Sequence, residues 1–123
     1  MKKTVILLLL AAALALPATA QAYTVYNHVA HEACIIDAGR PESCAFKVDP
    51  NGSFKAWDSA PRVVWFNYNT KPGTCFLSQK IVTVPRKGSA KLYAEKVEIY
   101  NAKGKMIKEV GMVSRVCGQR PGK

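Results

Sequence analysis

Apolar and polar positions alternate along most of the chain, and one stretch departs from that pattern by being apolar on both faces. In Arg62-Val-Val-Trp-Phe-Asn-Tyr-Asn69, Val63 and Trp65 point one way and Val64, Phe66 and Tyr68 the other. Aromatic and β-branched residues at this density favour an extended strand, and a strand apolar on both faces is covered from both sides. The pattern predicts a central strand on which the rest pairs and packs.

Shorter stretches flank it. Residues 23–29 and 33–37 read as strands, and Cys44, Phe46 and Val48 alternate with Ala45, Lys47 and Asp49, which puts Cys44 on the buried face beside Phe46. Asp49-Pro-Asn-Gly52 fits a type I turn closed by a glycine bulge, folding residues 53–57 back on the preceding strand. Lys71-Pro-Gly-Thr74 fits a type II turn. Cys75 to Val84 is β-rich, with a slip near Ile81-Val82 that marks a bulge or an edge. Pro85-Arg-Lys-Gly88 is a basic turn, and residues 92–100 contain a strand with Val97 and Ile99 inward. Asn101-Ala-Lys-Gly104 is a hairpin turn with glycine at the bulge, and the returning strand carries Met106, Val110, Met112 and Val116 on one face. About seven short strands with turn signals between them predict an all-β fold, a small antiparallel β-sandwich of Ig-like or Greek-key type, with a small β-barrel as the alternative.

The first 22 residues have a different logic. Met1-Lys2-Lys3, an apolar run from Val5 to Leu16, and Pro17-Ala-Thr-Ala-Gln-Ala22 make a basic, an apolar and a small-residue region in order. That is the pattern of a secretory signal peptide, with cleavage after Ala20 or after Ala22. The apolar run is shorter than the ~20 residues that span a bilayer, so no transmembrane anchor is expected after cleavage. The division is a leader over 1–22, one domain over 23–117 and a mobile basic tail over 118–123, in a periplasmic or secreted protein.

Export changes the reading of the four cysteines, Cys34, Cys44, Cys75 and Cys117. An even number in an oxidising compartment predicts two disulfides, and without a C-x-x-C pair thiolate metal binding is disfavoured. Four cysteines allow three pairings. Cys34–Cys44 and Cys75–Cys117 are favoured: the first closes a short loop between neighbouring strands, the second a long one.

Charge is unevenly distributed. The whole chain carries +10, yet residues 23–70 carry −1 and residues 71–123 carry +9. Arg86 and Lys87 lie on one turn, Lys103 and Lys105 flank another, and Lys91, Lys96 and Lys108 lie on the strands between, with Lys96 and Lys108 expected across one solvent face. Such a basic face suits an anionic polymer of the cell envelope or an acidic protein. Stacking aromatics among these charges are sparse (Tyr93, Tyr100), so nucleic acid is not expected.

Catalytic chemistry finds little support. No serine sits in a G-x-S-x-G elbow, and no glycine-rich phosphate loop, dinucleotide motif or calcium loop is present, so no cofactor is implied. Asp49 and Asp58 flank a turn, but Asp49 is explained as its first residue. His28, His31 and Glu32 could ligate zinc or copper only on a helix face, and the local pattern is strand or turn. Trp65 reads as core against a disulfide, and Trp57 as rim packing or a groove wall. The expected function is a non-catalytic exported binding or structural module. The alternatives are a secreted inhibitor or effector presenting the Cys34–Cys44 loop with Arg40-Pro41 at its tip, and, with least support, a small hydrolase.

Overall fold

A computed structural model describes residues 22–71 and 73–117. The predicted tail, and the predicted leader up to residue 21, lie outside these residues. The described chain is all-β. Its strands are β1 (Tyr23–Asn27), β2 (Ala33–Asp37), β3 (Phe46–Val48), β4 (Ser53–Ala56), β5 (Val63–Lys71), β6 (Thr74–Ser78), β7 (Val82–Thr83), β8 (Gly88–Leu92), β9 (Lys96–Tyr100) and β10 (Met106–Val116). They join in one hydrogen-bonded path, β3-β2-β5-β6-β10-β9-β8-β1-β4, with β7 on the first residues of β5. The path curves until its two ends, β3 and β4, touch without pairing, so the sheet is nearly closed and barrel-like.

The central strand is β5, paired with β2, β6 and β7. Val64, Phe66 and Tyr68 join the main core with Val25, Ile35, Leu92, Val97 and Ile99. Trp65 faces the other way, into a thin outer layer with Ile36 and Leu77, against which Cys34 packs. Both disulfides form as the spacing predicts, Cys34–Cys44 and Cys75–Cys117. Cys34 lies opposite Asn67 and Cys75 opposite Asn69, so the bridges flank the outer face of β5.

The structure corrects several local expectations. There are ten strands among the described residues, and β1–β8 pair in parallel. Residues 53–56 do not return on β3 but pair with β1. The turn before them holds Asn51 at φ 55 with the Gly52 amide donating to the Asp49 carbonyl, so the left-handed residue is the asparagine at the third position, as in a type II turn. Cys44 precedes β3 and lines the outer cavity with Cys34 and Trp65, while the Phe46 ring packs on the main core. Met106 and Val116 are exposed, and only Val110 and Met112 of the predicted stripe meet the main core. A register shift between Met106 and Lys108 is what breaks the stripe.

One turn behaves as read. Gly104 takes φ 81 and its amide donates to the Asn101 carbonyl, while Asn101 Oδ1 accepts from the amides of Lys103 and Lys105. Where β3 and β4 fail to pair, Phe46 stacks on Phe54 at 4.7 Å and meets the edge of Trp57 at 4.9 Å. Trp57 is 53% exposed and packs on this seam. Asn27, buried, ties the same region together by donating from Nδ2 to the carbonyls of His31 and Asp49 at 2.8 and 3.1 Å.

Tyr23 gives the fold an alkaline limit. Its ring is fully buried and its hydroxyl donates to the Pro61 carbonyl at 2.7 Å. Burial, reinforced by the negative charge of Asp37, pushes the phenol from 10.0 up to about 12. Below pH 10 both folded and unfolded chains hold the proton, and the stability is complete. Between pH 10 and 12 the unfolded chain releases it while the folded chain retains it, so stability falls as pH rises. Two pKa units correspond to about 3 kcal/mol. Urea titrations at stepped pH should show that loss, and Tyr23→Phe should flatten it; an unchanged pH profile in the variant would refute the assignment.

Candidate functional site

A concavity that includes part of the basic half lies on the outer face of β1, β8 and β9. Register builds it: Tyr26 lies beside Lys91 and Lys91 beside Glu98, and in the neighbouring row Thr24, Ser89 and Tyr100 line up. Alternate residues of a strand share a face, so Tyr26, Ser89, Lys91 and Tyr100 all point outward. With His28 and Gly104 they line a cavity of about 420 Å³. Lys91 Nζ sits 4.7 Å above the Tyr100 ring, and His28 stacks on Tyr93 at 4.9 Å. A cation over an aromatic face is a favourable pairing that leaves the ammonium able to meet an anion.

β8 can enter this face because its first inward residue has no side chain. A Cβ on Gly88 would overlap the Tyr100 carbonyl oxygen, so glycine lets β8 approach β9. Next to it, Lys87 is held at φ 62, and its amide donates to the Ala22 carbonyl.

The seven predicted basic residues do not form one field. Lys96 is neutralised: Nζ lies 3.1 Å from Glu98 Oε2 and 3.3 Å from Glu109 Oε1. Hydrogen bonds that it donates to the Glu98 and Glu109 carboxylates hold its ammonium above its ordinary pKa. The Tyr100 hydroxyl donates to Glu98 Oε1 at 2.7 Å, and that bond, followed by Lys96, keeps the Glu98 carboxyl low. Accepting that bond, Glu98 in turn raises the phenol of Tyr100. Arg86 pairs with Asp58. Lys87, Lys91, Lys103, Lys105 and Lys108 make no ion pair among the described residues. Of these, Lys91 lines the cavity, and Lys103 and Lys105 flank its rim residue Gly104. Lys108 lies opposite Ile99 and Glu109 opposite Glu98, so Lys108 alternates to the other side of the ribbon from Lys96.

Tyr26, His28 and Ser89 were not singled out for this site by sequence. Tyr26 and Ser89 sit at outward, period-two positions of β1 and β8, and His28 follows just past the end of β1, a signal that becomes readable only once those strands are known to be neighbours.

A second concavity, about 310 Å³, lies between the disulfides over Trp65, Asn67 and Asn69. Trp65 is buried, so its ring is not offered to a ligand. The Cys34–Cys44 loop is ordered by the Arg40 amide on the Asp37 carbonyl and the Gly39 amide on Asp37 Oδ1, and Arg40 is exposed. His31 lies parallel to Tyr68 with ring centres 6.2 Å apart, apart from His28 on Tyr93. Among the described residues no three His, Cys, Asp or Glu side chains come together as a metal site. The chain matches no protein-family model, no curated protein and no solved structure, so its function has to be read from this geometry.

Proposed function

We propose that this protein is an exported, non-catalytic binding module that holds an anionic polysaccharide on the outer face of β1, β8 and β9, carried on a small barrel with one unpaired seam. The leader pattern and the two disulfides support export. The observation that carries the ligand class is the mixed lining of the cavity. Tyr26 offers a ring on which a sugar ring stacks, Ser89 and His28 offer hydrogen bonds, and Lys91, held over the Tyr100 ring, offers charge. The rim turn with Lys103 and Lys105 extends the positive charge beyond the cavity, as a polymer needs. A phosphate or a carboxylate alone would use the lysines and leave the Tyr26 ring idle.

The test is titration of the processed protein with heparin fragments and with a polyuronate, at about 50 and 200 mM salt. Binding should weaken steeply with salt, because the charges are exposed and screened. Lys91→Ala should lower affinity roughly fivefold, about 1 kcal/mol, and Tyr100→Phe should leave it nearly unchanged because the ring is kept. No binding, or binding indifferent to salt, overturns the proposal. Binding to anionic lipid vesicles or acidic proteins but not to polysaccharide overturns the ligand class.

A further inference from the structure

We infer that the leader is cut between Ala20 and Gln21, so that Ala22 belongs to the mature folded protein. This rests on the export reading above, and it chooses between two bonds that sequence leaves equal. Ala18 and Ala20 satisfy the small-residue requirement for a cut after Ala20, and Ala20 and Ala22 satisfy it for a cut after Ala22.

The fold separates them. Ala22 is 0% exposed and belongs to the main core. Both its backbone groups are used: the amide donates to the Ala56 carbonyl at 2.8 Å, and the carbonyl accepts from the Lys87 amide. The second bond holds Lys87 in its left-handed conformation, a costly one for a residue with a Cβ. Ala22 therefore joins the end of β4 to the turn that opens β8, next to the parallel pair that builds the candidate site.

A cut after Ala22 would remove these contacts and do further harm. The new α-ammonium would be the nitrogen of Tyr23, a fully buried residue registered between Ala56 and Gly88. A charged amine in that place loses its water, and the residues registered beside it, Ala56 and Gly88, have no charged side chain to offer it. A cut after Ala20 puts the charge on Gln21, one residue before Ala22.

Intact-mass measurement of the protein exported by its own leader decides the matter. The expected mass starts at Gln21, with a free amine or after that amine has attacked the Gln21 side-chain amide carbon and expelled ammonia. A chain starting at Tyr23 overturns the inference and leaves export standing. A chain still carrying Met1 overturns export, and the inference with it. As a second measurement, chains starting at Gln21 and at Tyr23 are released from a cleavable fusion and melted. The Tyr23 form should unfold on the order of 10 °C lower, given two lost hydrogen bonds in a domain of this size. Equal melting temperatures would refute the physical basis.

Discussion

Replacing Cys75 and Cys117 together by alanine is expected to lower unfolding stability by about 4 kcal/mol, and replacing Cys34 and Cys44 by about 3 kcal/mol. The ranking follows from loop length, 42 residues of separation against 10. The longer crosslink removes more freedom from the unfolded chain. It also ties down the end of the last strand. The last residues of β10, Ser114 to Val116, are exposed, and Cys117 holds them to β6 through Cys75. A loss of 4 kcal/mol is a large share of the 5–15 kcal/mol typical of a small domain, so reduced protein should be partly unfolded near body temperature. Urea midpoints of the two double variants check this. A larger loss on removing Cys34–Cys44 would mean that packing over Trp65, and not chain entropy, sets the order.

The bridges were legible because the even number of cysteines and their spacing can be counted in one dimension. The central strand was legible for a similar reason: β5 carries its evidence in its own residue types, apolar on both faces. β8 was not. Its inward residues are Gly88, Ala90 and Leu92, and the first two have low strand propensity. They are small because the strand lies close between β1 and β9, a tertiary demand that local pattern reports as a loop. The turn at Asp49–Gly52 shows a second limit. Turn chemistry reveals that the chain reverses, and it does not reveal which strand receives the returning segment; β4 goes to β1.

The candidate site was half legible for the same reasons. The charge excess after residue 71 is a sum, and sums survive in sequence. Which lysines remain unpaired depends on partners that other elements bring. Asp58, 28 residues before Arg86, takes that guanidinium, and Glu109 crosses from β10 to reach Lys96. The cavity itself needs β1 beside β8, a parallel contact without a local signature, so Tyr26 and His28 could not be joined to Lys91 beforehand.

Phe66→Ala and Trp65→Ala should separate the two faces of β5. Phe66 is fully buried in the main core, and its amide donates to Ser78 Oγ at 3.1 Å. A curved sheet closed almost on itself cannot collapse into the space left by the ring, so the loss should be about 3–5 kcal/mol, toward the upper end. Trp65 is larger, yet it sits in a thin layer beside the 310 Å³ outer cavity. Its removal joins that space to solvent, water fills part of it, and the loss should fall near the lower end of the same range. Coupling gives the sharper test. Trp65 and the Cys34–Cys44 bridge line one cavity, so removing both should cost less than the two separate losses combined. Phe66 packs in the other cluster, and its loss should add to that of the bridge to within about 0.5 kcal/mol. Additivity for Trp65, or strong coupling for Phe66, would show that the two layers are not energetically distinct.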